Sequence, residues 1–191
     1  MPVRGYSLQL SEASLSVLHG LVGRAVHRVY APCLQVDKRH LTAPSISIPT
    51  SDETKHGWVH RYVIVRCEWF ETPETRIDYW QLFVDNEDKP SGLDFSEAKG
   101  IVAPCTINFY GYSSPILRVE VYEFSWPANE HLGAENVVYD RAIHFQRQDG
   151  SSFCIACQPN GPGIATEVHV SDDDETIAHL LSGCTLRVSI A

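Results

Sequence analysis

The apolar residues of this chain recur mainly at every second position, which is the period of a β-strand with one buried face. Segment 61–70 places four side chains on one such face: Val63, Val65, Cys67 and Trp69. Segment 76–84 follows a turn at 71–75, where Pro73 lacks the N–H that a continued ladder requires. The two segments therefore predict an antiparallel hairpin, and segment 115–124 predicts another half-buried strand.

A second hairpin is predicted around Asp149 and Gly150, which lie between segments 141–147 and 152–157. Asp-Gly is favoured in tight hairpin turns because glycine accepts the positive φ that these turns require. After a further turn rich in Gly and Pro, the alternation resumes at 164–170 and predicts the third strand of a meander.

Few segments have the period of a helix. Segment 11–19 predicts a short helix with Ser11 as N-cap, and a second short helix is expected between Ser171, its predicted cap, and Gly183. Two further strands are expected, at 24–30 and 185–190. Three segments lack a clear period and are predicted to be irregular connections: 38–57, 85–100 and 125–137.

Together these patterns predict a mainly β (α+β) fold, an antiparallel β-sandwich or a strongly bent sheet with two short helices. The length fits a single domain, 1–191, and the hydrophobic content of 43% excludes intrinsic disorder. Residues 1–100 and 101–191 show a similar order of strand, hairpin and acidic turn. Two similar halves would account for this order, but any two stretches made of hairpins show some such likeness.

Composition argues against two classes of partner. Acidic residues outnumber basic residues by 24 to 15, giving a net charge of −9, so we predict no nucleic-acid partner. No apolar run approaches the roughly 20 residues of a membrane helix, so we predict no membrane partner. Residues 1–10 lack the order of a signal peptide, and we expect a cytoplasmic location. The sequence leaves the oligomeric state open.

The sequence predicts no metal site, no cofactor and no catalytic residue. Cys154 and Cys157 form a CxxC pair, but side chains three apart in a strand point to opposite faces, so one metal ion would not bind both. All six cysteines are expected to be thiols, as in a reducing compartment. The usual phosphate-loop, dinucleotide and nucleophile motifs are absent from the sequence.

Charge and aromatic content favour a non-catalytic protein-binding module. Residues 67–191 carry a net charge of −13, and aromatic side chains crowd around the first predicted hairpin. One form of this hypothesis is an immunity-type protein that neutralises a basic toxin or effector. The predicted partner-binding residues are Glu68, Glu71, Glu74, Trp80 as an aromatic anchor, Asp85, Glu87, Asp88, Asp172, Asp173 and Asp174.

Two other functions remain open. A small-molecule or metal-dependent enzyme would assemble its site from separate strands, with four predicted members: His56, His60, His144 and Asp140. The second is a structural subunit that assembles with copies of itself. This function predicts a native mass well above that of a single chain.

Overall fold

The structure, a computed structural model, describes residues 4–37, 40–55, 57–90, 92, 94–96, 100–102, 105–109, 114–126, 135–157 and 167–191. Its first strands are β1 (Arg4–Leu8), β2 (Arg28–Ala31), β3 (Gln35–Asp37), β4 (His40–Ala43), β5 (Ser45–Thr54), β6 (Gly57–Glu71) and β7 (Asp78–Glu87). They are followed by β8 (Asp94–Ser96), β9 (Gly100–Val102), β10 (Cys105–Asn108), β11 (Ile116–Trp126), β12 (Glu135–Arg147), β13 (Ser152–Cys157), β14 (Val168–Ser171) and β15 (Cys184–Ile190). The two helices are α1 (Glu12–His19) and α2 (Asp174–Leu180).

Two mainly antiparallel sheets pack face to face as a β-sandwich. The larger sheet has the order β15-β11-β12-β13-β14-β4-β3, and β1 pairs in parallel with the start of β12. The smaller sheet has the order β10-β2-β5-β6-β7, and β8 and β9 form a separate small hairpin. The predicted mainly β fold with two short helices is confirmed.

Both predicted hairpins are present. β6 and β7 pair in register from Tyr62 opposite Glu87 to Glu71 opposite Asp78. β12 and β13 join through a turn in which Gly150 has a φ of 85°. β14 then pairs with β13, which completes the predicted meander.

The core lies between the sheets because alternate side chains of each sheet point inward. It contains residues from both sheets that are at most 2% exposed, among them Ile46, Val65, Leu82, Val121, Ile143 and Phe145. The outer face of the larger sheet is covered in part by α2, whose Ile177 and Leu180 pack against Ala142 and Cys154. Helix α1 contributes Leu18 to the main core and contacts β7.

The prediction of an irregular connection over 38–57 is wrong, because β4 and β5 occupy most of it. β5 pairs with β6 along its whole length. Pro49, which lacks a backbone N–H, is tolerated within β5 because β5 pairs with β2 only where Tyr30 faces Ser47. The connection predicted at 85–100 starts later in the structure, because β7 continues to Glu87.

Of the two predicted helix caps, one is confirmed and the other is displaced. The Ser11 hydroxyl accepts a 3.1 Å hydrogen bond from the Ser14 backbone N–H at the start of α1. Helix α2 is capped by Asp173, whose carboxylate accepts from the Thr176 N–H at 2.9 Å. Ser171 instead ends β14, because its backbone pairs with Cys154 of β13.

The segments 1–100 and 101–191 are interleaved in the sandwich. β3 and β4 from the first segment extend the larger sheet, whereas β10 from the second lies at the edge of the smaller one. Neither sheet is therefore built from one segment alone.

Candidate functional site

A cleft of about 510 Å³ opens at one end of the sandwich, where the β6–β7 turn approaches the larger sheet. We call it the aromatic cleft, and it is lined by Thr75, Arg76, Ile77, Asp78, Trp80, Phe124, Trp126, Tyr139 and Arg141. Its volume is within the usual range of ligand-binding pockets, about 300–1,000 Å³.

Three strands from two sheets supply the aromatic walls. Phe124 of β11 lies directly opposite Tyr139 of β12, with ring centres 5.8 Å apart. Trp80 of β7 faces them from the smaller sheet, with its ring centre 6.1 Å from that of Tyr139. Trp126 extends the wall outward from Phe124 and is 41% exposed. The cleft therefore depends on packing of the two sheets against each other.

Arg141 reaches the cleft because it has the same alternation phase as Tyr139 and Ile143, which face the core. A register shift opposite Tyr122 and Glu123 leaves Arg141 as the extra residue of a β-bulge. Bulges re-aim side chains in this way beside binding sites. The guanidinium carbon of Arg141 lies 5.0 Å from the centre of the Phe124 ring.

The charge of Arg141 has no anionic partner in the described part of the chain. Its buried Nε–H likewise has no acceptor there. Burial raises the pKa of the nearby Cys184 thiol, and both the Arg141 charge and a side-chain hydrogen bond between the two residues oppose that rise. A half-buried cation of this kind is unusual, because buried charges are normally paired.

Trp80, the predicted aromatic anchor, is only 6% exposed and packs on Tyr139 in the wall of the cleft. Its neighbour Tyr79 is covered by Tyr6 and Phe70. The buried Trp80 Nε1–H has no acceptor in the described part of the chain. Trp80 and Arg141 thus both line the cleft, while the Nε1 and Nε atoms that lack acceptors are buried beneath its surface.

Glu135 fixes the turn that forms the cleft rim. Its carboxylate accepts hydrogen bonds from the Thr75 backbone N–H at 2.9 Å, the Thr75 hydroxyl at 2.6 Å and the Tyr6 hydroxyl at 3.0 Å. Burial by itself raises the pKa of Glu135, but the hydrogen bonds from Thr75, Thr72 and Tyr6 outweigh it and lower the pKa to about 2.

The two other charged side chains at the rim already interact with neighbouring residues. Arg76, which has a positive φ of 55°, forms an ion pair with Glu71. The exposed Asp78 carboxylate accepts a 3.0 Å hydrogen bond from Trp69 Nε1. The Arg76 charge is therefore paired, whereas Asp78 keeps its negative charge at the rim.

The predicted partner-binding residues occupy three separate places. Glu68, Glu71, Glu74 and Trp80 lie on the half of the β6–β7 hairpin that ends at the cleft. Asp85, Glu87 and Asp88 lie at the opposite end of β7, and Asp172, Asp173 and Asp174 lie at the start of α2. They do not form one continuous acidic surface.

Several of the predicted acids have basic neighbours that reduce their field. Glu68 pairs with Arg66 at 2.7 Å, Glu74 with Arg4 at 3.6 Å and Asp88 with Arg61 at 3.6 Å. The exposed Asp85, Glu87, Asp172 and Asp174 form no such pair within the described residues.

The residues of the alternative enzyme site are dispersed. His60 lies in the smaller sheet and is hydrogen-bonded through Nδ1 to the Ser51 hydroxyl at 2.8 Å. His144 lies on the outer face of the larger sheet, and the buried Asp140 carboxylate is held by Arg187 at 2.6 and 2.7 Å. His56 lies outside the described residues. The structure thus does not bring His60 together with His144 and Asp140.

A polar cluster surrounds His144 on the outer face of the larger sheet. The Glu120 carboxylate accepts hydrogen bonds at 3.0 Å from Tyr122 and from Gln146, and lies 3.4 Å from His144 Nδ1. Cys154 faces His144 across the strands, but burial raises the pKa of its thiol strongly. A neutral thiol under α2 is a poor nucleophile, so the cluster lacks an activated attacking group.

The CxxC cysteines are on opposite faces, as the strand geometry predicts. Cys154 packs under α2, whereas Cys157 belongs to the main core. Burial raises the thiol pKa of both residues. Across the described segments, no three His, Cys, Asp or Glu side chains are grouped as metal ligands.

A second, smaller cleft of about 400 Å³ lies near the start of β2. Its lining includes Arg24, His27 and Arg28, but Arg24 is bound by Asp52 at 2.7 Å. Tyr30 is the one tyrosine, phenylalanine or tryptophan among its described lining residues, against four such residues in the first cleft.

No known protein-family model, curated protein or solved structure matches this chain. Among the described helices, neither is long and apolar enough to cross a membrane.

The sequence contained one signal that pointed to Arg141. In segment 141–147, Arg141 and Arg147 share the alternation phase of Ile143 and Phe145, which predicts two arginines on the core face. Arg147 donates to the Val26 carbonyl at 3.0 Å and lies over the Phe109 and Phe153 rings, whereas its Nε–H, like that of Arg141, has no acceptor in the described part of the chain. Arg141 lies over the Phe124 ring and hydrogen-bonds with Cys184, and these contacts required the structure.

Proposed function

We propose that this protein is a non-catalytic protein-binding module whose aromatic cleft receives a side chain of a partner protein. The main observation in support is a cleft of about 510 Å³ with aromatic walls, formed by Trp80, Phe124, Trp126 and Tyr139. Tryptophan, tyrosine and arginine are the residue types most enriched at binding hot spots.

Exposure of the outer wall supports the proposal. Trp126 and Trp69 are 41% and 38% exposed at this end of the sandwich, although large aromatic side chains are normally covered. A partner that covered both would remove apolar surface from water while its anchor filled the cleft. Trp69 is also held in place through Asp78, so less side-chain entropy is lost on binding.

The experiment is affinity capture from a lysate of the source organism, with three forms of the protein compared in parallel. Trp126→Ala removes an exposed cleft wall at small cost to the core. Leu117→Ala is the matched control, because Leu117 is 48% exposed and lies elsewhere, near the start of β11. A protein retained by the wild type and the control but lost with Trp126→Ala supports the proposal. Equal capture by all three forms, or no capture by any, contradicts it.

The immunity-type form of the proposal requires a basic partner. It depends on the exposed acids without ion pairs, chiefly Asp85 and Glu87 on β7. Reversing both charges, with Asp85→Lys and Glu87→Lys, is expected to weaken capture and to reduce its salt dependence. Unchanged affinity and salt dependence would remove the basic-toxin version and leave binding through the cleft intact.

A further inference from the structure

The second cleft, of about 400 Å³ near the start of β2, has a basic lining although the chain is acidic. We call it the basic cleft. Three of the residues that line it are basic, Arg24, His27 and Arg28, and no acidic residue from the described part of the chain lines it. The whole chain has a net charge of −9. A concave site lined by one sign of charge focuses its field, and a basic one therefore attracts small anions.

The backbone explains how His27 and Arg28 reach the same cleft. Val26 and Val29 are both buried although they are three positions apart, so the strand alternation is interrupted between them. His27 and Arg28 are consequently both exposed. Pairing with β10 holds this segment, since the His27 carbonyl accepts a 3.1 Å hydrogen bond from the Phe109 N–H. Two adjacent basic side chains therefore project from one fixed segment.

Arg24 forms part of the wall, and its guanidinium already has partners. Its Nε–H donates to the Gly20 carbonyl at 2.7 Å, and its Nη2 forms an ion pair with Asp52 at 2.7 Å. His27 and Arg28, in contrast, form no ion pair within the described residues. Because both side chains are also exposed, an anion in the cleft can contact them directly.

Tyr30 and Pro49 give the basic cleft an apolar part. Tyr30 follows Arg28 by two residues in β2, so both side chains project from the same face of the smaller sheet. The half-buried Tyr30 ring packs edge-on against Tyr62, with ring centres 6.4 Å apart, and this contact restrains it. A flat ring is a suitable neighbour for such side chains. The cleft volume is also within the range of small-molecule sites.

We propose that the basic cleft binds a phosphate monoester of an aromatic compound, with the phosphate on Arg28 and His27 and the ring beside Tyr30 and Pro49. A guanidinium binds phosphate through two parallel N–H···O bonds, and a remaining phosphate oxygen accepts from the His27 imidazole. A carboxylate has only two oxygens, and Arg28 alone would occupy both. This inference goes beyond the proposed function, because the basic cleft and the aromatic cleft share no residue in the described part of the chain.

The test uses defined probes with the intact protein. Phenyl phosphate carries the ring and the phosphate, phenol keeps the ring alone, inorganic phosphate keeps the anion alone, and benzoate replaces the phosphate with a carboxylate. Dissociation constants are measured by NMR titration at one fixed ionic strength, since salt screens the cations. We expect phenyl phosphate to bind at least about tenfold more tightly than each other probe, because it alone combines the charge-assisted hydrogen bonds with the ring contact.

Three substitutions assign the preference to the named side chains. Arg28→Gln is expected to weaken binding of phenyl phosphate at least about tenfold. Arg118→Gln is the matched control, because Arg118 is also an exposed arginine but lies on β11 of the larger sheet, and we expect unchanged binding. Asp52→Asn is expected to strengthen binding about twofold or more, since it removes an acid beside the cleft and releases the Arg24 guanidinium. A misfolded variant would not give this gain.

A preference for phenyl phosphate that is lost in Arg28→Gln and kept in Arg118→Gln supports the proposal. The proposal is overturned if any other probe binds as tightly as phenyl phosphate, or if no probe gives saturable binding. It is also overturned if Arg28→Gln binds like the wild type, if Arg118→Gln loses binding equally, or if Asp52→Asn gives no gain. None of these results depends on partner capture, because Trp126 lines the other cleft.

Discussion

Arg141 lies with its guanidinium carbon 5.0 Å from the centre of the Phe124 ring, yet it has no anionic partner in the described part of the chain. Natural proteins retain such unfavourable arrangements chiefly at functional sites. In the Asp140 cluster, by contrast, the buried carboxylate is paired with a cation, because Arg187 lies 2.6 Å from it.

Replacing Arg141 with methionine is therefore expected to leave the free energy of unfolding unchanged or to raise it by up to about 1 kcal/mol. The substitution removes an uncompensated cation and a cation–π contact worth about 0.5–1 kcal/mol, while it keeps a flexible apolar chain. Urea unfolding of the wild type and of Arg141→Met measures the difference. A loss of more than about 2 kcal/mol would show that Arg141 is chiefly a structural residue.

The buried ion pair between Asp140 and Arg187 is expected to behave in the opposite way. Asp140 is 0% exposed and also accepts a 2.6 Å hydrogen bond from the Leu10 N–H, so Asp140→Ala leaves several donors unsatisfied. We expect a loss of about 3–5 kcal/mol. The exposed pair of Arg4 and Glu74 is the matched control, and Glu74→Ala is expected to cost less than about 1 kcal/mol. Similar losses for both variants would contradict this account.

Glu135 predicts a specific dependence of stability on pH. Its pKa in the folded protein, about 2, is below its ordinary value of 4.5, so its contribution is present above that value and is lost as the pH falls towards 2. We expect Glu135→Gln to reduce the difference in unfolding free energy between about pH 5 and about pH 3. Asp85→Asn, at an exposed acid, is the control. If the unfolding free energy of Glu135→Gln depends on pH as that of the wild type does, the Glu135 carboxylate does not accept the hydrogen bonds described above.

The cysteines are expected to react with iodoacetamide in a defined order. Cys33 is exposed, whereas burial raises the thiol pKa of Cys154 and Cys157 and excludes the reagent. Mass spectrometry of the native protein should show early labelling of Cys33, with Cys154 and Cys157 labelled only after unfolding. Rapid native labelling of either CxxC cysteine would reopen a redox role.

Alternation predicted the hairpins well because each strand carries its own inward and outward faces. The β6–β7 and β12–β13 pairs needed only this period and a turn, and both are present. β5 was missed because segment 38–57 has no clear period of its own, and the sequence does not show that it pairs with β6 along its whole length. The cap of α2 was misplaced because Ser171 and Asp173 both have capping side chains, and pairing with β13 determines which of them starts the helix.

The aromatic cleft could not be predicted from the sequence by the same route. Trp80 was predicted as an aromatic anchor from the aromatic content of the hairpin, which does not show that the side chain is only 6% exposed and lines a cleft. The cleft requires β7 of one sheet to meet β11 and β12 of the other, and no local pattern specifies how two sheets are placed. For Arg141, the sequence shows only that it has the same alternation phase as residues of the core.

The most direct test of the central claim is the affinity of the captured partner for the wild type, Trp126→Ala and Leu117→Ala, measured by calorimetry. The account predicts that Trp126→Ala raises the Kd by about tenfold or more, as expected for a hot-spot residue, whereas Leu117→Ala leaves it unchanged. A Kd that is the same for all three proteins would contradict the assignment of the aromatic cleft as the binding site.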